Sequence, residues 1–304
     1  MLEIIMLSVK MPVDLAQKEI DKICNFLEQQ LLKNEKVVIG VSGGVDSDVV
    51  ARLAVRAFGE HRVKLFVVLQ DGMDQKHLEN AHSLSTDLST QLVEVDLKGI
   101  PTSFIQRLKR ADPSERFRPD GLIDSSRAKC SIRTVIFSTY LDRGYLVLGC
   151  SNRTELETGF FLPLGDGLGH IKPIVHLYKT QVYQAAELLG TRRQVIEQPA
   201  SSGFWIGAED LEDLSFWLLN EAPIGEQRDF SKDEIRDALE IRSHLTTEKV
   251  DIGLLGLDKG FDDEEITTES GLPVSIVVRL RKLTTAAQKF KRRTLGLRLD
   301  NLVI

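Results

Sequence analysis

The chain has 304 residues, 42% hydrophobic and 28% charged, which suits one large globular domain or one domain with a helical extension. A formal net charge of −6 offers no general basic surface for nucleic acid or an anionic membrane. Three cysteines, Cys24, Cys130 and Cys150, are odd in number and far apart, which excludes a disulfide framework or a CxxC site and fits a reducing, cytoplasmic setting.

The first residues, "MLEIIMLSVKMPVDL", lack a basic n-region and a small-residue cleavage site, so they are not read as a signal peptide. No run approaches the roughly 20 apolar residues of a membrane span. Leu15 to Leu32 repeats apolar residues at helical spacing. "KVVIGVS" is then a short continuous apolar run, the signature of a strand buried on both faces. After it Val49/Val50, Leu53/Ala54 and Ala57/Phe58 recur on one helix face. "VKLFVVLQ" reads as a second strand, "HLENAHSLSTDL" as a helix and "QLVEVDL" as a third strand. Ala128 to Leu141 is expected to be one helix, and "YLVLGCS" the fourth strand. Strands alternating with helices predict a doubly wound parallel α/β sheet. Beyond Gly190 the pattern turns helical. Ser231 with Glu234 forms a capping box, and two short helices are expected around Gly271 and Pro273.

The informative stretch is "VVIGVSGGVDSDVVARLAV", Val37 to Val55. A strand running through glycines into a helix makes an anion site, because main-chain N–H groups and the helix dipole converge there. Gly43 and Gly44 let the backbone approach phosphate oxygens, Val45 belongs to the same expected phosphate-binding loop, and Ser42 and Ser47 offer hydroxyls. Asp46 makes sense beside a phosphate through a bridging Mg²⁺. A bare Gly-Gly would be an ordinary turn; both glycines with both serines and a carboxylate ask for more. The loop is neither a Walker A motif, whose lysine is missing, nor a GxGxxG dinucleotide fingerprint. The histidines are scattered and show no ligand spacing, and Trp205 and Trp217 suit packing better than a nucleobase stack.

SGGVDS resembles the signature of the PP-loop ATP pyrophosphatases, which cleave ATP between its α- and β-phosphates. Within that superfamily, "YLVLGCSNRTELETGFFLPLGDGLGHIKPIVHLYKTQVYQAAELLG" (Tyr145 to Gly190), "QPASSGFWIG" and the helical C-terminal part resemble NAD synthase, and the likeness covers nearly the whole chain. It implies a PP-loop α/β fold, ATP and Mg²⁺ as cofactors, and adenylation of a carboxylate, that of deamido-NAD, followed by amidation with ammonia. By the same resemblance Ser42, Gly44 and Ser47 would hold pyrophosphate, and Asp46 and Glu155 would ligate Mg²⁺. Lys179 would bind phosphate, Gln70 would lie in the ATP pocket, and Ser201 would close over the phosphates. Lysine in the first turn of a helix is unfavourable against the dipole, which itself asks for an anionic partner at Lys179. Arg133, Asp166 and, with Arg292, Lys291 would serve the acid substrate.

The sequence departs from the pattern on the acid side. Leu162-Pro163 stand for Thr-Lys, His170 for Asp, Cys150 for Thr, Ser131 for the first arginine of A-R-x-R, and "FKRR" for His-Lys-Arg. A paralogue amidating another carboxylate, such as a sugar acid, therefore stays open, as does a non-catalytic adenine-nucleotide sensor; a tRNA-modifying enzyme is disfavoured by the negative charge. With no nucleophilic Cys and His of a second domain, ammonia is expected free or from a separate glutaminase. The resemblance implies a homodimer. The expected organisation is a PP-loop domain over residues 1–208, a helical insertion over 209–248 and a helical extension of the same domain over 249–304.

Overall fold

The computed structural model describes residues 7–201, 209–225 and 228–291. The first half alternates as α1 (Val13–Gln30), β1 (Lys36–Gly40), α2 (Val45–Phe58), β2 (Val63–Leu69), α3 (Gln75–Asp87) and β3 (Leu92–Asp96). It continues through α4 (Ile100–Ala111), α5 (Leu122–Ser131), α6 (Arg133–Leu141), β4 (Tyr145–Val147) and α7 (Arg153–Thr158). The rest is helical: α8 (Lys179–Leu188), α9 (Arg193–Ile196), α10 (Asp210–Asn220), α11 (Lys232–His244), α12 (Thr247–Lys259), α13 (Asp263–Ser270) and α14 (Val274–Lys291).

The four strands form one parallel sheet in the order β3-β2-β1-β4. The alternation of side chains assigns each strand residue to a face. Val37 and Ile39 of β1, with Leu65 and Val67 of β2, join a core with α1, α2 and α8. Val38, Phe66 and Val68 face the other way, against Phe137 and Tyr140 of α6. Full burial of Val37, Val38 and Ile39, all at 0% exposure, is why β1 reads as a continuous apolar run. Because β1 pairs with β2 on one side and β4 on the other, the sheet has its switch point at the carboxyl end of β1, where ligands of such sheets collect.

A second core is helical. Leu214, Trp217 and Leu218 of α10, Ala238 of α11, Leu254 of α12 and Leu280 of α14 pack together with Phe160, Leu162 and Tyr178 from the sheet half. The segment set apart in the sequence as 209–248 thus shares its core both with the later helices and with the sheet half. Two helix expectations differ from the structure. The helix expected from Ala128 to Leu141 is two, α5 and α6, parted at Ile132. Of the two short helices around Gly271, α13 is short, but α14 runs 18 residues because its apolar face lies across α7, α10, α12 and α13.

Candidate active site

The turn after β1 is shaped by one glycine. Gly43 has φ +78°, and a Cβ there would stand 2.2 Å from the carbonyl oxygen of His77. The loop is held to itself and to α3. Ser47 Oγ accepts from Ser42 N at 3.2 Å and donates to the Gly44 carbonyl at 3.0 Å. Asn80, 4% exposed, donates to the Gly43 carbonyl at 3.1 Å and to Gln198 Oε1 at 2.9 Å, and accepts from Gln194 Nε2 at 2.8 Å. Gln198 in turn reaches the ring of His77 at 3.1 Å.

The helix that follows begins at Gly44 with no side-chain cap. Its first N–H groups, those of Val45 and Asp46 among them, therefore have no partner within the helix and carry the positive end of its dipole. Asp46 sits in that first turn. One of its oxygens accepts from Asn152 Nδ2 at 2.9 Å, and the other is ion-paired with Lys179. The same Asn152 amide donates to Glu155 Oε1 at 2.8 Å, while Asn152 Oδ1 accepts from the Glu155 N–H at 3.0 Å. Asn152 and Glu155 are thus the capping box of α7, and the cap places Glu155 beside Asp46.

Lys179 opens α8, 8% exposed. Its backbone N–H donates to Thr154 Oγ1 at 2.9 Å. Asp251, fully buried on α12, accepts from Thr154 Oγ1 at 2.5 Å and from the N–H and hydroxyl of Thr180 at 2.8 and 2.6 Å. That carboxylate fixes α7 against α8, hence Glu155 against Lys179.

The electrostatics follow from crowding. Burial, and then the Asp46 charge, push the Glu155 carboxyl well above the usual range. Burial works against the charge of Lys179, but the Asp46 and Glu155 carboxylates outweigh it and keep the ammonium protonated. Two neighbouring carboxylates with one lysine between them leave a site short of positive charge. Among the described residues no group of three or more His, Cys, Asp and Glu could hold a metal by itself. A pair of hard oxygen donors suits a Mg²⁺ ion that takes its other ligands from phosphate and water, so the residues present fit that ion.

These groups line a cavity of about 720 Å³ at the carboxyl end of the sheet. Ser42, Gly44, Val45, Asp46, Ser47, Gln70, Arg133, Glu155, Asp166, Lys179 and Ser201 all border it. Gln70, just after β2, has its buried Nε2 without a hydrogen-bond partner among the described residues. Asp166 is partly occupied with local structure: Oδ1 accepts from Leu162 N at 2.8 Å and from the Cys130 thiol at 3.4 Å. Lys291 is the last residue of α14; its side chain, Arg292 and Trp205 lie outside the described residues. The spacing of motifs gave no sign of Asn80, His77, Gln198, Thr154 or Asp251. Asn152 could have been found, because Asn at the start and Glu three residues on is a helix-cap pattern.

Fold and site together define a class, a parallel α/β protein whose first strand runs through a glycine turn into an uncapped helix start at the border of one cavity. Comparison with known proteins narrows it. A family model described as NAD synthase matches residues 19–251, and the chain belongs to that family. The chain is 27% identical over 289 residues to an NH(3)-dependent NAD(+) synthetase of Pyrococcus horikoshii, covering 94% of this chain and 96% of the relative. The corresponding protein of Thermococcus sibiricus is 33% identical over 211 residues, 67% of this chain and 78% of the relative. Among solved structures, an NMN synthetase from Francisella tularensis superposes with TM-score 0.69 at 20% identity, covering 94% of this chain and 99% of that one. An NH3-dependent NAD synthetase from Campylobacter jejuni does so with TM-score 0.65 at 22% identity, covering 96% and 100%. At such identities the structural likeness is one of fold.

Proposed function

We infer that the protein is an ATP-dependent, ammonia-using amide ligase of the NAD synthetase type. It joins the carboxylate of deamido-NAD to AMP, with release of pyrophosphate, and ammonia then displaces AMP to leave the amide. The observation that carries this reading is that the uncapped start of α2, which bears Asp46, and the Lys179–Asp46–Asn152–Glu155 network built on it meet at one cavity. Membership of the family points the same way.

In this reading the N–H groups at Gly44, Val45 and Asp46, with the hydroxyls of Ser42 and Ser47, hold the pyrophosphate half of ATP. Lys179 neutralises charge that builds on the leaving pyrophosphate, a stabilisation strongest in a buried, preorganised site. Asp46 and Glu155 would hold Mg²⁺, which supplies Lewis-acid charge neutralisation on the phosphates. The free Nε2 of Gln70 donates to an acceptor on the nucleotide base, and Ser201 stands at the edge of the phosphate site. Arg133 and Asp166 border the acid substrate, with Lys291 proposed to reach it from the C-terminal part. Holding the carboxylate against the α-phosphorus supplies the rest by proximity, with no protein nucleophile.

Finer points belong to the same proposal. The helices over 209–248 act as part of the ligase domain rather than as a separate module. The protein works as a homodimer in the cytoplasm. Helix α6 supports the homodimer: it is apolar, it has no buried residue, and Val135 and Leu141 are 64% and 42% exposed. The three free cysteines support the cytoplasmic setting. Ammonia arrives free or from a separate glutaminase.

The test is pyrophosphate release from ATP with ammonium and deamido-NAD, followed by chromatography of the spent nucleotide. AMP and pyrophosphate in step with NAD are expected. ADP and phosphate, or turnover with another acid but not with deamido-NAD, would overturn the reading.

A further inference from the structure

The segment 209–248 begins at the border of the cavity. Glu209 and Asp210, at the start of α10, border both the large cavity and a second one of about 180 Å³, whose lining also includes Glu155 and Lys179. Glu209 occupies the cap position of α10, yet its side chain makes no cap bond; its carbonyl accepts from the N–H groups of Glu212 and Asp213, each at 3.0 Å. The next residue reaches back along the chain. Asp210 N donates to the Ala200 carbonyl at 2.8 Å, and Ala200 borders both cavities too. After burial and the Asp46 charge, the Asp210 carboxylate is among the charges that act on Glu155 and Lys179.

The Glu209 carboxylate is held instead by α11. Arg242, in the last turn of that helix, donates from Nη2 to Glu209 Oε2 at 2.9 Å and from Nη1 to the Leu245 carbonyl at 3.2 Å. Ala238 and Ile241 of α11 are buried in the helical core, so Arg242 stands on a fixed base. The two side chains are 30% and 40% exposed, which limits what the pair adds to overall stability. Its effect is local: it joins the end of α11 to the residue that precedes α10. Movement of that residue carries Asp210 and its bond to Ala200 with it, and so alters the border that Glu155 and Lys179 share.

We propose that Arg242 is a positioning residue for ATP: through Glu209 it holds the start of α10, and with it Asp210 and Ala200, at the border of the phosphate site. The inference rests on the reading above that ATP occupies this cavity, and it gives the 209–248 segment a specific task there. Positioning and simple charge make opposite demands at Glu209. Removing its carboxylate takes negative charge from the border of a site for phosphates, which by the field alone tightens nucleotide binding. Losing a positioning contact weakens it.

Calorimetric titration with Mg²⁺ and α,β-methylene-ATP, which cannot be cleaved between those phosphates, tests the proposal on the wild type, Arg242→Ala, Glu209→Ala and the double variant. Each single variant is expected to raise Kd about three- to fivefold, the range open to one partly exposed ion pair. The double variant is expected to bind no more weakly than the weaker single one. Arg242→Lys, which keeps the charge but not the fork, is expected to recover part of the affinity. In steady state KM for ATP rises alike, while KM for deamido-NAD stays within about twofold. Glu209→Ala leaves Arg242 its bond to the Leu245 carbonyl, so an unchanged melting temperature in that variant separates positioning from folding. Unchanged or tighter binding in Glu209→Ala, or effects that add in the double variant, would overturn the proposal while leaving the ligase reading standing. Absence of nucleotide binding in the wild type would overturn that reading, and the proposal with it.

Discussion

The two halves of the cavity are built on different principles. On the half proposed for ATP, polar atoms are bound in chains: Lys179 to Asp46, Asp46 to Asn152, Asn152 to Glu155, with Asp251 and Asn80 as braces behind. On the half proposed for the acid, Phe137, Leu162 and Leu168 contribute an apolar lining, with Arg133 and Asp166 the charges proposed to meet the acid there. The difference teaches where each job is done. Phosphate transfer needs charges fixed before the reaction starts, and buried networks fix them. Choosing an acid needs shape plus a few contacts, which can change without disturbing the chemistry.

That contrast is sharpest at its charged centre. Asp46→Asn and Lys179→Met are each expected to lower pyrophosphate release by about a thousandfold or more, since each removes charge aimed at the reacting phosphates. Near-normal release in either variant, measured by a coupled pyrophosphate assay, would sink the assigned roles. Folding should survive Asp46→Asn, because the Asn152 amide keeps an acceptor at the same place. Lys179→Met leaves Asp46 its second partner, Asn152, for the same reason.

The loop comes next. Gly43→Ala meets a positive φ and a main-chain oxygen 2.2 Å from the new Cβ, so the loop must move. Strain of this kind costs about 1–3 kcal/mol, and a displaced loop loses its N–H geometry. A lower melting temperature together with at least about tenfold weaker ATP binding by calorimetry is expected. Wild-type affinity for ATP would show that the tight turn is not what shapes the phosphate site.

On the other half the signature reverses. Arg133→Met is expected to raise KM for deamido-NAD by about tenfold, leave KM for ATP unchanged and change kcat little. Equal effects on both substrates would erase the division between the halves.

The division also explains what the sequence reveals. SGGVDS stands out in the sequence because its chemistry is local, a glycine turn at a helix start, and Lys179 because a lysine sits badly in a first turn; Glu155 stands out only through the resemblance. The two central strands, β1 and β2, were readable because burial on both faces leaves unbroken apolar runs such as Val37 to Ile39. The hubs were not. Asn80 acts on Gly43 and on Gln198, and Asp251 on Thr154 and Thr180, across 37, 118, 97 and 71 positions of chain. Such partners have no spacing to detect until the fold brings them together. The break at Ile132 was hidden for a related reason, since the apolar residues of α5 and α6 run on at helical spacing on both sides of it.

The smallest expected effect tests whether the brace behind the loop is a working part of the ATP half. His77 lies under the glycine loop, with Gln198 Nε2 at 3.1 Å from its Nδ1. Burial, and next the charge of Lys76, hold its pKa below the ordinary 6.5. The unfolded chain therefore takes up the proton more readily than the folded one. Stability from the neutral ring is complete above about pH 6.5 and is lost as the pH falls through the folded-state pKa. Protonation would also place an N–H on the nitrogen that faces the Gln198 amide, so the Gln198–His77 contact weakens and the loop loses support. Between about pH 7.5 and pH 5.5, wild-type melting temperature and ATP affinity should both fall, and less so in His77→Asn, which keeps an acceptor but does not titrate. An identical pH dependence in the two proteins would remove His77 from the machinery of the loop, leaving Asn80 as the contact from α3 that holds Gly43 in place.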